Sequence, residues 1–319
     1  MAQSYRSLIL DSVGSTNREA FALAEAGETG PLWIMARRQT AGRGRADRPW
    51  VSVPGNLHAS LLIQLDCAPT AMPQLSLVAG VAVVDAIRQA TGGGPAGLRL
   101  KWPNDILIGP AKCAGILVET SRHVQSRPDS PREEGLGGTT GRGSDPLRTP
   151  SQKTGGVGGD GSDPLSDILE SPLPCAYVTV GERTLRPASN PNSIVAVIGI
   201  GIDLAWHPGD LGRAATDLAV HGLKASPEVV LGSLSEAMHN WLQVWDAGRG
   251  FRGVREAWLD RAGPAGERVT VNTGRERIEG TFADLDAEGA LVITDRHGQR
   301  RTVTFGDVTL DAAAPQDGT

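Results

Sequence analysis

Cysteine is scarce in this chain: Cys67, Cys113 and Cys175 are scattered over 319 residues, with no paired metal-ligand spacing. That excludes a disulfide scaffold and fits a reducing compartment, so a cytoplasmic protein is expected. No apolar run approaches a membrane span on this reading, and the opening MAQSYRSLILDS is too short and polar for a signal segment. Excess positive charge is lacking too. A formal net charge of −5 and a pI near 5.7 argue against a nucleic-acid or membrane-surface partner. Basic clusters are therefore read as sites and not as a global field. A G-x-x-x-x-G-K-[ST] phosphate loop is missing, the six histidines support no Ser-His-Asp order, and no protein nucleophile is evident. The hydrophobic share of 39% still allows a sizeable core, as one large domain or two smaller ones.

What the chain does have is concentrated in Gln39-Thr40-Ala41-Gly42-Arg43-Gly44-Arg45-Ala46-Asp47-Arg48-Pro49-Trp50. Arginine supplies a planar, permanently charged fork suited to carboxylate and phosphate. The glycines are expected to let the backbone turn sharply and approach a ligand, with Trp50 as an apolar lid. The plain alternative is a solvated basic turn.

Around this loop the pattern predicts an α/β body with a mixed sheet. A strand is expected at 6–12, then a helix opened by a Thr16-x-x-Glu19 capping box, then a strand from Leu32 to Arg37. Alternation at Leu57, Ala59, Leu61, Ile63 and Leu65 predicts a half-buried strand. A helix over 74–91 stops at Gly92-Gly93-Gly94-Pro95, and strands follow at 98–102 and about 113–119. From about Ser121 to Pro174 Gly, Pro, Ser, Asp and Arg dominate without aromatics, and disorder is expected. Strands are expected near 175–187 and 194–200, then a helix over 227–247 whose tryptophans serve core packing. Short segments at 268–272, 276–283, 290–294 and 301–305 predict a small β-barrel. The expected domains are 1–262, interrupted at 121–174, and 263–319 with a disordered tail.

Four further clusters look chemically loaded. Ser15-Thr16-Asn17 opens a helix, where N–H groups and hydroxyls can hold a polar ligand. In Lys101-Trp102-Pro103-Asn104-Asp105, Pro103 should force Asn104 and Asp105 out from the sheet edge. Lys112 precedes a buried strand in which Gly115 could let a ligand lie against the backbone, and Gly199-Ile200-Gly201-Ile202-Asp203 reads as a strand-end turn. Each has an ordinary structural explanation. Jointly they fall at strand ends of one α/β body, where ligands bind. Positioning and charge stabilisation by Arg and Lys suit phosphoryl or nucleotidyl transfer.

In order, these segments resemble the biotin–protein ligase family, also called biotin–[acetyl-CoA-carboxylase] ligase. The likeness covers roughly residues 8–120 and 194–310. It implies a mixed-sheet catalytic domain with a small C-terminal SH3-like β-barrel. It also implies a two-step reaction: biotin and ATP give biotinyl-5′-AMP and pyrophosphate, then biotin passes to a lysine of a biotin carboxyl carrier protein. By that likeness Ser15, Thr16, Asn17 and Gln39 lie at the biotin head group, with Gly115 beside it. Arg43, Gly44 and Arg45 close over biotin and adenylate; Arg48 belongs to the same nucleotide loop, and Trp50 shields the adenylate from water. Lys112 contacts the carboxylate and α-phosphate, Asn104 helps hold the ATP phosphates and Mg²⁺, and Asp105 orients Lys112 or receives the incoming lysine. Arg45 and Asp105 join Lys112 in the expected catalytic set, and Mg²⁺ arrives with ATP, leaving no protein-only metal site.

Three features depart from the family pattern. Asp203 stands where the family usually has Asn, although the likeness puts this position at the adenylate. The 121–174 insert replaces a short connection, which costs little closure entropy. Nothing precedes residue 8 to supply the helix-turn-helix of bifunctional members, so repressor function is not expected. The rivals are a lipoate or octanoate ligase of the same fold and a non-catalytic biotin or nucleotide sensor. Acetyl-CoA carboxylase and other biotin-dependent carboxylases are the expected partners; monomer and homodimer both stay open.

Overall fold

Apolar side chains on both faces of the central strands decide the architecture. In the computed structural model, which describes residues 5–122, 193–209 and 214–310, seven strands form one sheet in the order β1-β2-β3-β7-β6-β5-β4. β1 (Arg6–Val13) and β2 (Leu32–Gln39) are parallel. β3 (Leu57–Leu65), β4 (Leu98–Lys101), β5 (Asp105–Ile108), β6 (Ala111–Arg122) and β7 (Ile194–Ile202) extend it antiparallel. Helix α1 (Thr16–Glu25) covers one face of the sheet through Ala20 and Ala24. Helices α2 (Gln74–Thr91), α3 (Pro227–Trp245) and α4 (Phe251–Arg261) build the main core on the other. All described residues belong to one compact unit, including a second, antiparallel sheet ordered β11-β10-β9-β8-β12. Its strands are β8 (Arg268–Asn272), β9 (Arg277–Leu285), β10 (Leu291–Asp295), β11 (Arg300–Val303) and β12 (Asp307–Leu310).

Several expectations are corrected by packing. β3 is buried on both faces from Leu57 to Ile63, because α1 lies over the side that alternation assigned to solvent. α1 has Ser15 as its N-cap, with no side-chain cap bond; Thr16 is the first helical residue, so the Thr16–Glu19 box does not form. The Gly199–Ile202 stretch is strand, not turn. Asp105 does not project from a sheet edge: it opens β5, pairs with Lys101 and Gly115, and is buried. Pro69–Thr91 proves long and apolar enough to cross a membrane, but 78% of that window is buried. A helix wrapped by sheet and helices needs no polar face.

α4 was not foreseen, although Phe251, Val254 and Trp258 bury at helical spacing. Strand β12 was missed as well. Ser121 and Arg122 end β6, opposite Val195 and Ile194. The expected disorder from residue 123 to 174, the strand near 175–187 and the tail after 310 lie outside the described residues.

Candidate functional site

The arginine loop begins where β2 ends. Thr40 and Ala41 donate backbone N–H bonds to Val13 and Gly14, at 2.9 and 2.8 Å, pinning the loop to the end of β1. Within it, Gly44 N–H reaches Arg48 O and Trp50 N–H reaches Gly42 O, at 2.7 and 2.9 Å. The sharp turn is not made by glycine. Ala46 and Asp47 carry it, each at φ +53°, a left-handed conformation that costs a non-glycine residue energy. Gly42 is required for another reason: a Cβ there would come within 2.7 Å of Trp50 O.

Facing the loop is a compact charge cluster. Asp105 Oδ1 accepts a short bond from Lys112 Nζ, and Oδ2 receives Lys101 Nζ at 2.8 Å. Burial pushes the Asp105 carboxyl up, but the Lys112 and Lys101 ammoniums outweigh it and bring its pKa to about 2. Lys112 Nζ also sits 5.6 Å from the Trp50 ring centroid, a cation–π contact. Arg45 donates to Asn104 Oδ1 and Gly306 O, both at 3.0 Å. Arg48 grips Asp307 with bonds of 2.8 and 3.0 Å.

The second polar group lies under α1. Thr16 N–H and Oγ1 are 2.9 and 3.1 Å from Gln39 Oε1. Ser60 Oγ lies 2.7 Å from Thr16 Oγ1 and 2.6 Å from Asn17 Oδ1. Gly199 and Gly201 make room: a Cβ at 199 would fall 2.3 Å from Asn17 Oδ1, and one at 201 would fall 2.5 Å from the Trp50 ring. Trp50 therefore fills the slot between this group and Lys112, its Nε1 donating to His58 Nδ1 at 3.3 Å. Burial lowers the His58 pKa to about 4, which keeps Nδ1 free to accept. With Trp50 in the slot, the pocket bounded by Ser15, Thr16, Asn17, Gln39 and Arg43 holds only about 30 Å³.

Beyond Trp50 opens a cavity of about 1180 Å³, ample for a nucleotide-sized ligand. Arg43, Gly44, Arg45, Arg48 and Trp50 line it together with Asn104, Asp105, Lys112 and Gly115. The C-terminal sheet supplies another wall through Asp307–Leu310 and the preceding Pro264–Arg268. Thus the expected residues gather in two connected places, with one exception. Asp203 is buried away from the cavity wall, its Oδ1 accepting from Asn56 Nδ2 at 3.0 Å.

Residues missed in the sequence are His58, Ser60, Glu119 and Asp307. Only Glu119 had a signal, as the last residue of the Lys-x-Ala-Gly-Ile-Leu-x-Glu stretch. Asn104 is committed at both ends of its amide, to Arg45 and to Ile116 O at 2.7 Å. Among the described residues no group of three His, Cys, Asp or Glu could cage a cation, and Asp105 and Asp307 are already taken by cations of the chain.

The buried charge cluster carries a pH prediction. Its folded pKa is depressed from 3.8, so Asp105 lends stability above that value and loses it as pH falls through about 2. The expected contribution is about 2 kcal/mol. Urea titrations from pH 7 to 2 should show Asp105→Asn less stable at neutral pH and flatter on the acid side. Parallel curves for both proteins would refute the assignment.

The Biotin/lipoate A/B protein ligase family matches residues 10–127, and the Biotin protein ligase C terminal domain matches residues 265–311. A biotin–[acetyl-CoA-carboxylase] ligase of Paracoccus denitrificans is 30% identical over 299 residues, covering 92% of this chain and 95% of the relative. The bifunctional ligase/repressor BirA of Bacillus subtilis is 43% identical over 110 residues, covering 34% of this chain and 33% of the relative. A solved biotin protein ligase from Aquifex aeolicus, in complex with biotin and ATP, has the same fold. It superposes with a TM-score of 0.63 at 20% identity, over 96% of this chain and 99% of that one.

Proposed function

The chain belongs to the biotin–[acetyl-CoA-carboxylase] ligase family, and on that premise we propose how its residues make and spend biotinyl-5′-AMP. It is a ligase that uses biotin and ATP. The observation that carries the residue assignment is the meeting of Lys112, Arg43, Arg45 and Arg48 around one cavity, joined to a polar head-group pocket by a glycine-lined slot.

Biotin enters the slot as Trp50 swings off Gly201 and Gly115. Its head group meets Ser15, Thr16, Asn17 and Gln39, which leaves its carboxylate at Lys112. ATP occupies the larger cavity with Mg²⁺ on its phosphates. A carboxylate oxygen then attacks the α-phosphorus, the new C(=O)–O–P linkage forms, and the bond to pyrophosphate breaks. Lys112 and Arg45 screen the repulsion between the two anions and stabilise the charge that develops. Trp50 returns over the adenylate and keeps water out.

Transfer follows when a neutral carrier lysine amine attacks the acyl carbon, the acyl–oxygen bond to AMP breaks, AMP leaves, and the amine proton passes to solvent. Asp105 carries a lysine on each oxygen. Its part is to hold Lys112 in place. Acceptors are biotin carboxyl carrier domains of acetyl-CoA carboxylase and related carboxylases, and the scattered thiols support action in the cytoplasm.

The test is ATP-dependent biotin transfer to a purified carrier domain, read by streptavidin capture, with a lipoyl domain and lipoate in parallel. Labelling of the biotin carrier alone is expected. Tight biotin binding without labelling would favour a sensor, and lipoyl labelling would favour the lipoate rival.

A further inference from the structure

The polar chain beneath the head-group pocket ends on a residue to which the reaction above gives no role. Glu119 lies on β6 with its side chain 29% exposed, and it is not itself among the residues that line the larger cavity. One oxygen, Oε2, accepts from Asn17 Nδ2 at 2.7 Å; the other, Oε1, accepts from Arg43 Nη2 at 3.1 Å. It thus joins the first residues of α1 to the base of the arginine loop, partners 102 and 76 positions away in sequence.

A carboxylate can only accept, so its place at the end of the chain sets the direction of every bond beyond it. Asn17 must give its Nδ2 to Glu119 and turn Oδ1 toward Ser60 Oγ, 2.6 Å away. The single Ser60 proton then belongs to Asn17. Ser60 Oγ also lies 2.7 Å from Thr16 Oγ1, whose own hydroxyl donates to Gln39 Oε1 at 3.1 Å. Gln39 Oε1 thus accepts from the hydroxyl and from the Thr16 backbone N–H, at 2.9 Å, and Gln39 keeps its amide N–H groups as donors. At the other end, Arg43 Nη1 is tied to Asp47 at 3.3 Å, while its Nε is buried and without a partner among the described residues. A dehydrated donor of that kind, on a residue lining the pocket, is a place for a ligand acceptor.

We infer that Glu119 is a positioning residue for biotin recognition, holding Arg43 at the pocket and fixing the donor and acceptor pattern that the head group meets. It acts through Asn17 and Arg43 and not on the reacting atoms. The assignment rests on the biotin-ligase reading.

Two variants separate the arms. Glu119→Gln can still accept from Asn17, but it loses the charge and turns an amide N–H₂ toward Arg43, so the arginine arm falls back to the 3.4 Å contact with the remaining oxygen. Glu119→Ala loses both arms and lets Asn17 flip. Loss of charge-assisted bonds should raise KM for biotin about threefold in Glu119→Gln and about ten- to a hundredfold in Glu119→Ala. The kcat for adenylate formation and the KM for ATP should stay near wild type. Trypsin should cut the ligand-free loop after Arg43 and Arg45 faster in both variants. A role confined to strand stability would lower Tm at unchanged KM, which overturns the proposal, as does a fall in kcat alone. Should Glu119→Ala not fold, Glu119→Gln decides by the same two readouts. Failure of the wild-type protein to label any carrier would instead sink the ligase reading itself.

Discussion

Replacing Lys112 by Ala should slow biotinyl-adenylate formation by about 10²–10³, the usual loss when one preorganised charge contact is removed from a reacting centre. Two anions must approach, and in a cavity partly shielded from water their repulsion is less damped than in bulk. Lys112 lies beside the slot: it bonds Asp105, faces the Trp50 ring and lines the nucleotide cavity. The fold should survive the change, because Asp105 retains Lys101 at 2.8 Å and is not left as an unpaired buried charge. Single-turnover release of pyrophosphate measures the effect, with thermal unfolding as the control. Supplying ready-made biotinyl-5′-AMP should recover more carrier labelling than biotin with ATP does. Wild-type pyrophosphate release in the variant would move the charge role to Arg45.

Gly199→Ala should raise the KM for biotin by about a hundredfold while leaving the turnover at saturating biotin largely intact. The reason is steric. The new methyl would lie 2.3 Å from Asn17 Oδ1 and 3.0 Å from its Cγ, closer than any real contact. Asn17 has nowhere to retreat, being fastened to Ser60 on one side and to Glu119 on the other. Displacing it breaks the polar chain under the head group at its middle. Isothermal titration with biotin alone reads this directly, since ATP plays no part in that step. Gly201→Ala is the informative contrast: its methyl meets the Trp50 ring at 2.5 Å and should disturb the lid before it disturbs the head-group residues. Equal biotin affinity for Gly199→Ala and wild type would show that Asn17 is not in the pocket's working set.

The sequence by itself determined the identity of the chemistry. The arginine loop, Lys-Trp-Pro-Asn-Asp and Lys-x-Ala-Gly-Ile-Leu-x-Glu are local strings, and local strings also carry β1, β2 and α2, whose periodicity needs no partner to be read. Tertiary structure decided what each residue does with its neighbours. That β3 is buried on both sides depends on α1 crossing it. That Gly199 and Gly201 are strand residues making room for Asn17 and Trp50, and not a turn, depends on packing between distant segments. Asp203 is held by Asn56, 147 residues away. The C-terminal sheet reaches the site through Asp307, which holds Arg48 from a position 259 residues downstream. Hydrogen bonds and ion pairs act over about 3 Å of space, whatever the distance along the chain. A pattern read along the backbone can therefore name the ingredients of a site, and only the fold brings an acceptor to each donor.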